Sequence, residues 1–270
     1  MGCPLVLRIY YFVMHYYFGR TELLIGEKGL QRLQGARVAL FGLGGVGSYV
    51  AEALVRSGIG FLRIVDFDHV GASNFNRQLY ALHSTLGRAK VTVAEERLLD
   101  INPELILDTR EEFFHADSAE ELLAAPLDFV VDAIDSLGPK CELIAQCVER
   151  GIPVVSAMGA AARTDPTALR YGTIWETLAC PLARKVRQTL RRRGITADVP
   201  VVYSVEPPHD TYDPDELGEQ AEISYDRGRK RRVLPSMGML PGIVGLMVAN
   251  YVVQRLVMEN ANTSIAQSLR

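Results

Sequence analysis

The residues whose types and spacing could do chemistry cluster in the first half of the chain, and together they suit the handling of a nucleotide's phosphates. The segment VALFGLGGVGS, Val38–Ser48, contains a Gly-x-Gly-x-x-Gly turn. It follows an apolar run that reads as a strand and precedes a stretch that reads as a helix. Gly42 permits the tight turn, Gly44 lets backbone approach a phosphate, and Gly47 lets helix and strand pack closely, with Gly45 inside the same loop. The helix that follows offers free N–H groups and partial positive charge to an anion. Asp66 closes the next strand, about 24 residues after Gly42, near the spacing of ~20 expected of a carboxylate that takes ribose hydroxyls. These features alone suit NAD as well as ATP.

What lies just downstream separates the two. The stretch DFDHVGASNFNRQ, Asp66–Gln78, is followed by GRAK, Gly87–Lys90. A hydride-transferring enzyme has no need of Arg77 and Lys90 beside the ribose carboxylate. An enzyme that splits ATP does, because charge gathers on the departing pyrophosphate and fixed cations stabilise it. Arg77 would offer a planar fork of donors and Lys90 a point charge. Asp135 ends the apolar run Asp128–Asp135, and the carboxyl end of a central strand is where ligands bind in open α/β sheets. A helix N-cap before Pro139 is the plainer role for it.

The elements that must position these residues alternate between strand and helix. Strands are expected at Arg37–Phe41, Phe61–Asp68, Glu104–Thr109, Asp128–Asp135 and Pro153–Ala157. Helices are expected at 23–33, from the glycine loop to Ser57, and at Arg88–Ile101, Ser118–Ala125 and Pro139–Arg150. That order implies an α/β, Rossmann-like, mainly parallel sheet covered by helices on both faces. The second half is an embellishment: strands at Ala168–Trp175 and Val201–Val205, a helix at Pro181–Arg193, a long polar crossover loop over 207–232 and a C-terminal helix within the apolar stretch Met237–Met258, with Pro241–Gly242 as its start. The last is apolar, but Pro241, Asn250, Gln254 and Arg255 make it a packing helix rather than a stable membrane span. We expect a single domain over 14–270, with a nucleotide-binding core at 35–165 and a substrate and dimer region at 165–270. Residues 1–13 are expected to be a disordered tail ahead of a start at Met14.

Composition narrows the classes further. The chain has 270 residues, a formal net charge of −3 and four cysteines. Those cysteines, at positions 3, 141, 147 and 180, form no Cys-x-x-Cys pair, so neither a disulfide framework nor a zinc ribbon is expected, and a reducing cytoplasm fits. Cys141 and Cys147 read as core. Cys180 alone could be weighed as a nucleophile, with a small buried residue as its plainer role. Global charge gives no attraction to nucleic acid, yet two basic runs stand out: Arg184, Lys185, Arg187, Arg191, Arg192 and Arg193, then Arg227, Arg229, Lys230, Arg231 and Arg232. Either could supply local phosphate contacts.

Read together, GLGGVGS, IVDFD, SNFNRQ, GRAK and VDAIDS resemble the ubiquitin-activating-enzyme-like adenylyltransferases, the superfamily of the thiamine- and molybdopterin-biosynthesis activators, over roughly residues 18–175. The resemblance implies that Asp66 holds the ATP ribose and that Asn74, Arg77 and Lys90 surround the phosphates, with Asp68 and Gln78 in the same binding stretch. It also implies that Asp135 helps place Mg²⁺, and that Arg20 reaches the ATP of a partner subunit in a homodimer. Within that superfamily, RTELLIGEKGL, RQLYALHSTLGRAK, INPE, VVDAIDS, PLARKVRQTLRRRGI and VVYSVEPP are similar to the tRNA threonylcarbamoyladenosine dehydratases from Met14 onward. That similarity implies ATP and Mg²⁺ as cofactors, tRNA carrying threonylcarbamoyladenosine as substrate, and a sulfur-relay protein as a further partner. The competing readings are an activator of a ubiquitin-like sulfur carrier, a nicotinamide-dependent oxidoreductase and a non-catalytic nucleotide sensor.

Overall fold

The computed structural model describes residues 4–124, 126–210, 225–226, 229–230 and 234–258, with side chains described from Tyr17 onward and not within 225–230. Helix α1 spans Pro4–Gly35 and is interrupted at Gly26, whose backbone is not helical. It is longer than the expected 23–33. Of the tail expected over 1–13, residues 1–3 and all the side chains lie outside the described residues.

Strand β1 (Arg37–Phe41) leads through the glycine loop into α2 (Gly47–Ser57), followed by β2 (Phe61–Val65), α3 (Lys90–Ile101) and β3 (Ile106–Arg110). After the short α4 (Ala119–Leu122) come β4 (Phe129–Asp132), α5 (Leu137–Arg150) and β5 (Val154–Ala157). The second half contributes β6 (Leu169–Thr173), α6 (Pro181–Arg192), β7 (Pro200–Ser204) and α7 (Met239–Val257). Of the expected loop over 207–232, most lies outside the described residues, apart from a short antiparallel pairing of β8 (Tyr225–Asp226) with β9 (Arg229–Lys230).

Seven strands form one sheet in the order β3-β2-β1-β4-β5-β7-β6, parallel except for β6. The second half therefore extends the nucleotide-binding sheet. The central strands β2, β4 and β5 are buried throughout, as expected where helices cover both faces. The chain leaves β1 toward β2 and β3, then crosses back to β4 on the other side. That reversal opens a crevice at the carboxyl ends of β1 and β4, where ligands bind in such sheets.

α7 is long and apolar enough to cross a membrane. Its Leu240, Val244, Val248 and Val252 are buried, however, and it packs on α1, α2, β5 and β7. Gly245 allows the close approach: a methyl group there would lie 2.5 Å from the Val46 carbonyl oxygen. α1 and α7 thus brace the helix that follows the glycine loop.

Candidate active site

The glycine loop is built by contacts only glycine allows. Gly42 adopts φ +94°, and a methyl group there would stand 2.8 Å from the Ala133 carbonyl oxygen at the end of β4. Gly47 lies tighter still, with a methyl position 1.8 Å from the Gly42 carbonyl oxygen. The first turn of α2 is thereby pressed onto the loop. Among the described residues no acceptor takes the N–H groups of Gly44, Gly45, Val46 or Gly47, which is the donor set of an anion cradle.

Asp66 closes one side. It is 8% exposed; its Oδ2 accepts the Leu43 N–H at 2.6 Å and its Oδ1 the Asp68 N–H at 2.8 Å. Burial pushes its pKa up, against the pull of the Lys90 charge and of these two N–H groups. The carboxylate is thus locked to the glycine loop while each oxygen keeps a lone pair for a ribose hydroxyl.

The segment from Asp68 to Lys90 is an excursion folded back on itself. Val70 N–H donates to the Arg88 carbonyl at 2.9 Å, Gly87 N–H to the Val70 carbonyl at 2.9 Å, and Lys90 N–H to the Asp68 carbonyl at 3.0 Å. This brings Lys90, first in α3 and 4% exposed, to Asp68, with Nζ 2.8 Å from Oδ2. The tip of the excursion bends over the loop. Arg77 Cγ lies 3.2 Å, and Gln78 Nε2 3.9 Å, from methyl positions on Gly45 and Gly44 respectively. Arg77 Nη1 donates to the Ser73 carbonyl at 2.7 Å and to Asn76 Oδ1 at 2.9 Å. Asn74 shapes the turn beneath: its Oδ1 accepts the Gly71 N–H at 3.2 Å, and its carbonyl accepts the N–H groups of Arg77 and Gln78.

On the other side of the crevice the expected strand stops short. β4 ends at Asp132, and Asp135 lies three residues beyond it, because Asp132 Oδ1 accepts the Ile134 N–H at 3.1 Å and turns the chain out of the sheet. Asp135 is not the N-cap of α5 either; that position is Ser136, whose hydroxyl donates to Asp135 Oδ1 at 3.2 Å. Asp135 is exposed at the mouth. Among the described residues no group of three or more potential metal ligands exists. One hard-oxygen carboxylate beside a phosphate cradle nevertheless fits Mg²⁺, which takes one or two carboxylates together with substrate phosphates.

Two features of this region have no counterpart in the sequence patterns. Lys140 and Asp132 form an ion pair of 2.7 Å with both side chains fully buried. Lys140 Nζ also donates to Ser156 Oγ at 3.1 Å and to the Ala157 carbonyl at 3.0 Å, and Ser156 donates to the same Asp132 oxygen. The cluster fixes the Asp132–Asp135 turn from below. A Lys140→Met variant leaves the Asp132 charge buried without a cation, for which about 3–5 kcal/mol of stability is expected to be lost. Urea unfolding reads this directly, and an unchanged midpoint would contradict it. The second feature is an edge-to-face pair of Phe67 and Phe113, centroids 5.0 Å apart, both half-exposed beside Asp66. It presents an aromatic surface to solvent, with Phe67 next to Asp66 in the chain. A buried lysine and an exposed ring pair look in sequence like a surface charge and core residues, so spacing gave no signal for them.

Arg20 lies on α1, exposed, and no hydrogen bond or ion pair among the described residues ties it to the glycine loop. Cys141 and Cys147 are buried on α5; burial raises both thiols, Cys147 to about 12. Cys180 is buried too and caps α6, its Sγ accepting the Ala183 N–H at 3.4 Å. The first basic run lies on α6 and just beyond it. The second lies outside the described residues except for the backbone of Arg229 and Lys230.

Known proteins are similar to this chain over nearly its whole length. A tRNA threonylcarbamoyladenosine dehydratase of Bacillus subtilis is 40% identical over 246 residues, covering 90% of this chain and 95% of its own. The solved structure of the Escherichia coli tRNA N6-threonylcarbamoyladenosine dehydratase in complex with AMP superposes with a TM-score of 0.79 at 31% identity, covering 95% of this chain and 96% of that one. The same enzyme in complex with ATP gives a TM-score of 0.79 at 30% identity, with the same coverage. The sequence model of the ThiF family matches residues 18–270. With the match reaching from α1 past the end of α7, the chain belongs to the ThiF family.

Proposed function

We propose that this protein is an ATP-dependent dehydratase acting on the threonylcarbamoyl group of a modified adenosine in tRNA. The observation that carries the proposal is the extent of the likeness. It runs over 95% of this chain and 96% of the Escherichia coli dehydratase. The likeness therefore includes β6, α6, β7 and α7, not the nucleotide-binding half alone.

In this reading the glycine-loop N–H groups hold the phosphates and Asp66 the ribose, with the base against Phe67 and Phe113. The substrate carboxylate attacks the α-phosphorus, the bond to the β-phosphate oxygen breaks, and pyrophosphate leaves. Arg77 and Lys90 stabilise the charge that gathers there. Lys90 starts from Asp68, and the incoming phosphates compete for it. Mg²⁺, when bound, neutralises phosphate charge, and Asp135 is the side chain that would hold it. A nucleophile within the modified nucleoside then attacks the activated carbonyl, loses its proton and expels AMP. The departing AMP carries away a carboxylate oxygen, so the nucleoside has lost one water.

We further propose a homodimer in which Arg20 enters the neighbouring copy's site. Leu23 and Leu24 support this: they stand on the helix face of Arg20, one turn on, and are 89% and 85% exposed. A cytoplasmic location follows from a tRNA substrate and free thiols. The test is turnover on tRNA that carries the modification, compared with the same tRNA lacking it. ATP should be consumed only with the former.

A further inference from the structure

α6 carries no acidic residue, and its basic side chains divide into two groups. Its inner side is set by the buried Ala183, Val186 and Leu190. At about 100° per residue, Arg184, Lys185, Gln188 and Arg192 fall within an arc of about 100° on the opposite side. All four are exposed.

The other arginines are engaged within the fold. Arg187 Nη1 donates to the Thr177 carbonyl at 2.9 Å and also to the Thr177 hydroxyl. The Arg191 guanidinium lies 5.3 Å from the centroid of the Trp175 ring. Arg193 Nη1 pairs with Glu142 Oε2 at 2.6 Å. Among the described residues no hydrogen bond or ion pair engages the side chains of Arg184, Lys185 or Arg192. Three cations thus share one face, with no carboxylate paired to them, in a chain whose net charge is negative.

That face starts at the catalytic edge of the sheet. Cys180, the cap of α6, has its Sγ 3.5 Å from a methyl position on Gly159, two residues past the carboxyl end of β5. From Arg184 to Arg192 the face then runs about 12 Å along the helix.

We propose that Arg184, Lys185 and Arg192, with the Gln188 amide between them, form a docking surface for the phosphate backbone of the RNA substrate. This rests on the tRNA dehydratase function proposed above. Guanidinium forks suit phosphate oxygens, and such contacts fix orientation without reading sequence. That matches a substrate recognised by its modified base.

The test is an Arg184→Gln/Lys185→Gln/Arg192→Gln triple variant of the full chain, with Arg191→Gln as control. On modified tRNA the triple should raise KM at least about tenfold, leave kcat near the parent value, and leave ATP affinity unchanged. The slope of log affinity against log salt should flatten by about 2, at ~0.7 for each phosphate that the variant no longer neutralises. Arg191→Gln should keep the parental slope. Parental KM and slope in the triple overturn the surface while the dehydratase reading stands. Lost binding of a carrier protein, with tRNA affinity intact, also overturns it. A parent that turns over no modified tRNA overturns the dehydratase reading, and the surface with it.

Discussion

A Gly47→Ala variant is expected to lose at least about 100-fold in ATP affinity, together with measurable stability. The added methyl would lie 1.8 Å from the Gly42 carbonyl oxygen and 2.7 Å from its carbon. Both are backbone atoms, so no rotamer change relieves the clash. Either α2 moves away or the loop does, and each displaces the N–H groups that form the cradle. Overpacking of this kind costs about 1–3 kcal/mol or more in stability. A similar loss carried into binding, about 2.7 kcal/mol, is the hundredfold. Calorimetric titration with ATP and a thermal melt read the two effects separately. Affinity equal to that of the parent would mean that the phosphates do not sit on this helix start.

Arg77→Ala should act on the rate more than on binding. Arg77 lies over Gly45, held there by the Ser73 carbonyl and Asn76 Oδ1. The protein therefore fixes its position before ATP arrives. Removing one preorganised donor to transition-state charge typically costs about 10²–10³ in kcat. That fall is expected here, with a much smaller change in ATP affinity. Arg77→Lys should recover little, since an ammonium replaces the planar fork with a point charge. Single-turnover pyrophosphate release measures this step. A kcat near the parent's in Arg77→Ala would remove Arg77 from the phosphate-stabilising role.

Much of this arrangement was legible in the sequence because it is local. The glycine loop, Asp66 and the strand–helix alternation each announce themselves within a few residues, and their spacing is set by one βαβ unit. The seven strands were legible from apolar patterning and the packing role of α7 from the polar residues that interrupt it, whereas the joining of β6 and β7 to the nucleotide-binding sheet was not. What escaped depends on contacts between segments. The Lys140–Asp132 pair joins the first turns of α5 to the end of β4, and hydropathy alone reads that lysine as solvated. The end of β4 at Asp132 rather than Asp135 is decided by one side-chain hydrogen bond to Ile134, which a run of apolar residues does not reveal. The ion pair of Lys90 with Asp68 is a contact of the same kind. The doubling back of 68–90 brings them together. On α6 and just beyond it, the six basic residues looked equivalent, and only their partners distinguish those that hold the helix from those that face outward.

The central claim is that ATP is consumed to remove water from the threonylcarbamoyl group. It is tested most directly by incubating the protein with ATP and tRNA carrying that group, digesting the tRNA, and weighing the modified nucleoside. The account predicts a nucleoside lighter by one water, with one AMP and one pyrophosphate formed per conversion, and no ATP turnover on tRNA lacking the modification. An unchanged nucleoside mass, or AMP formed only when a carrier protein ending in Gly-Gly is supplied, would contradict it.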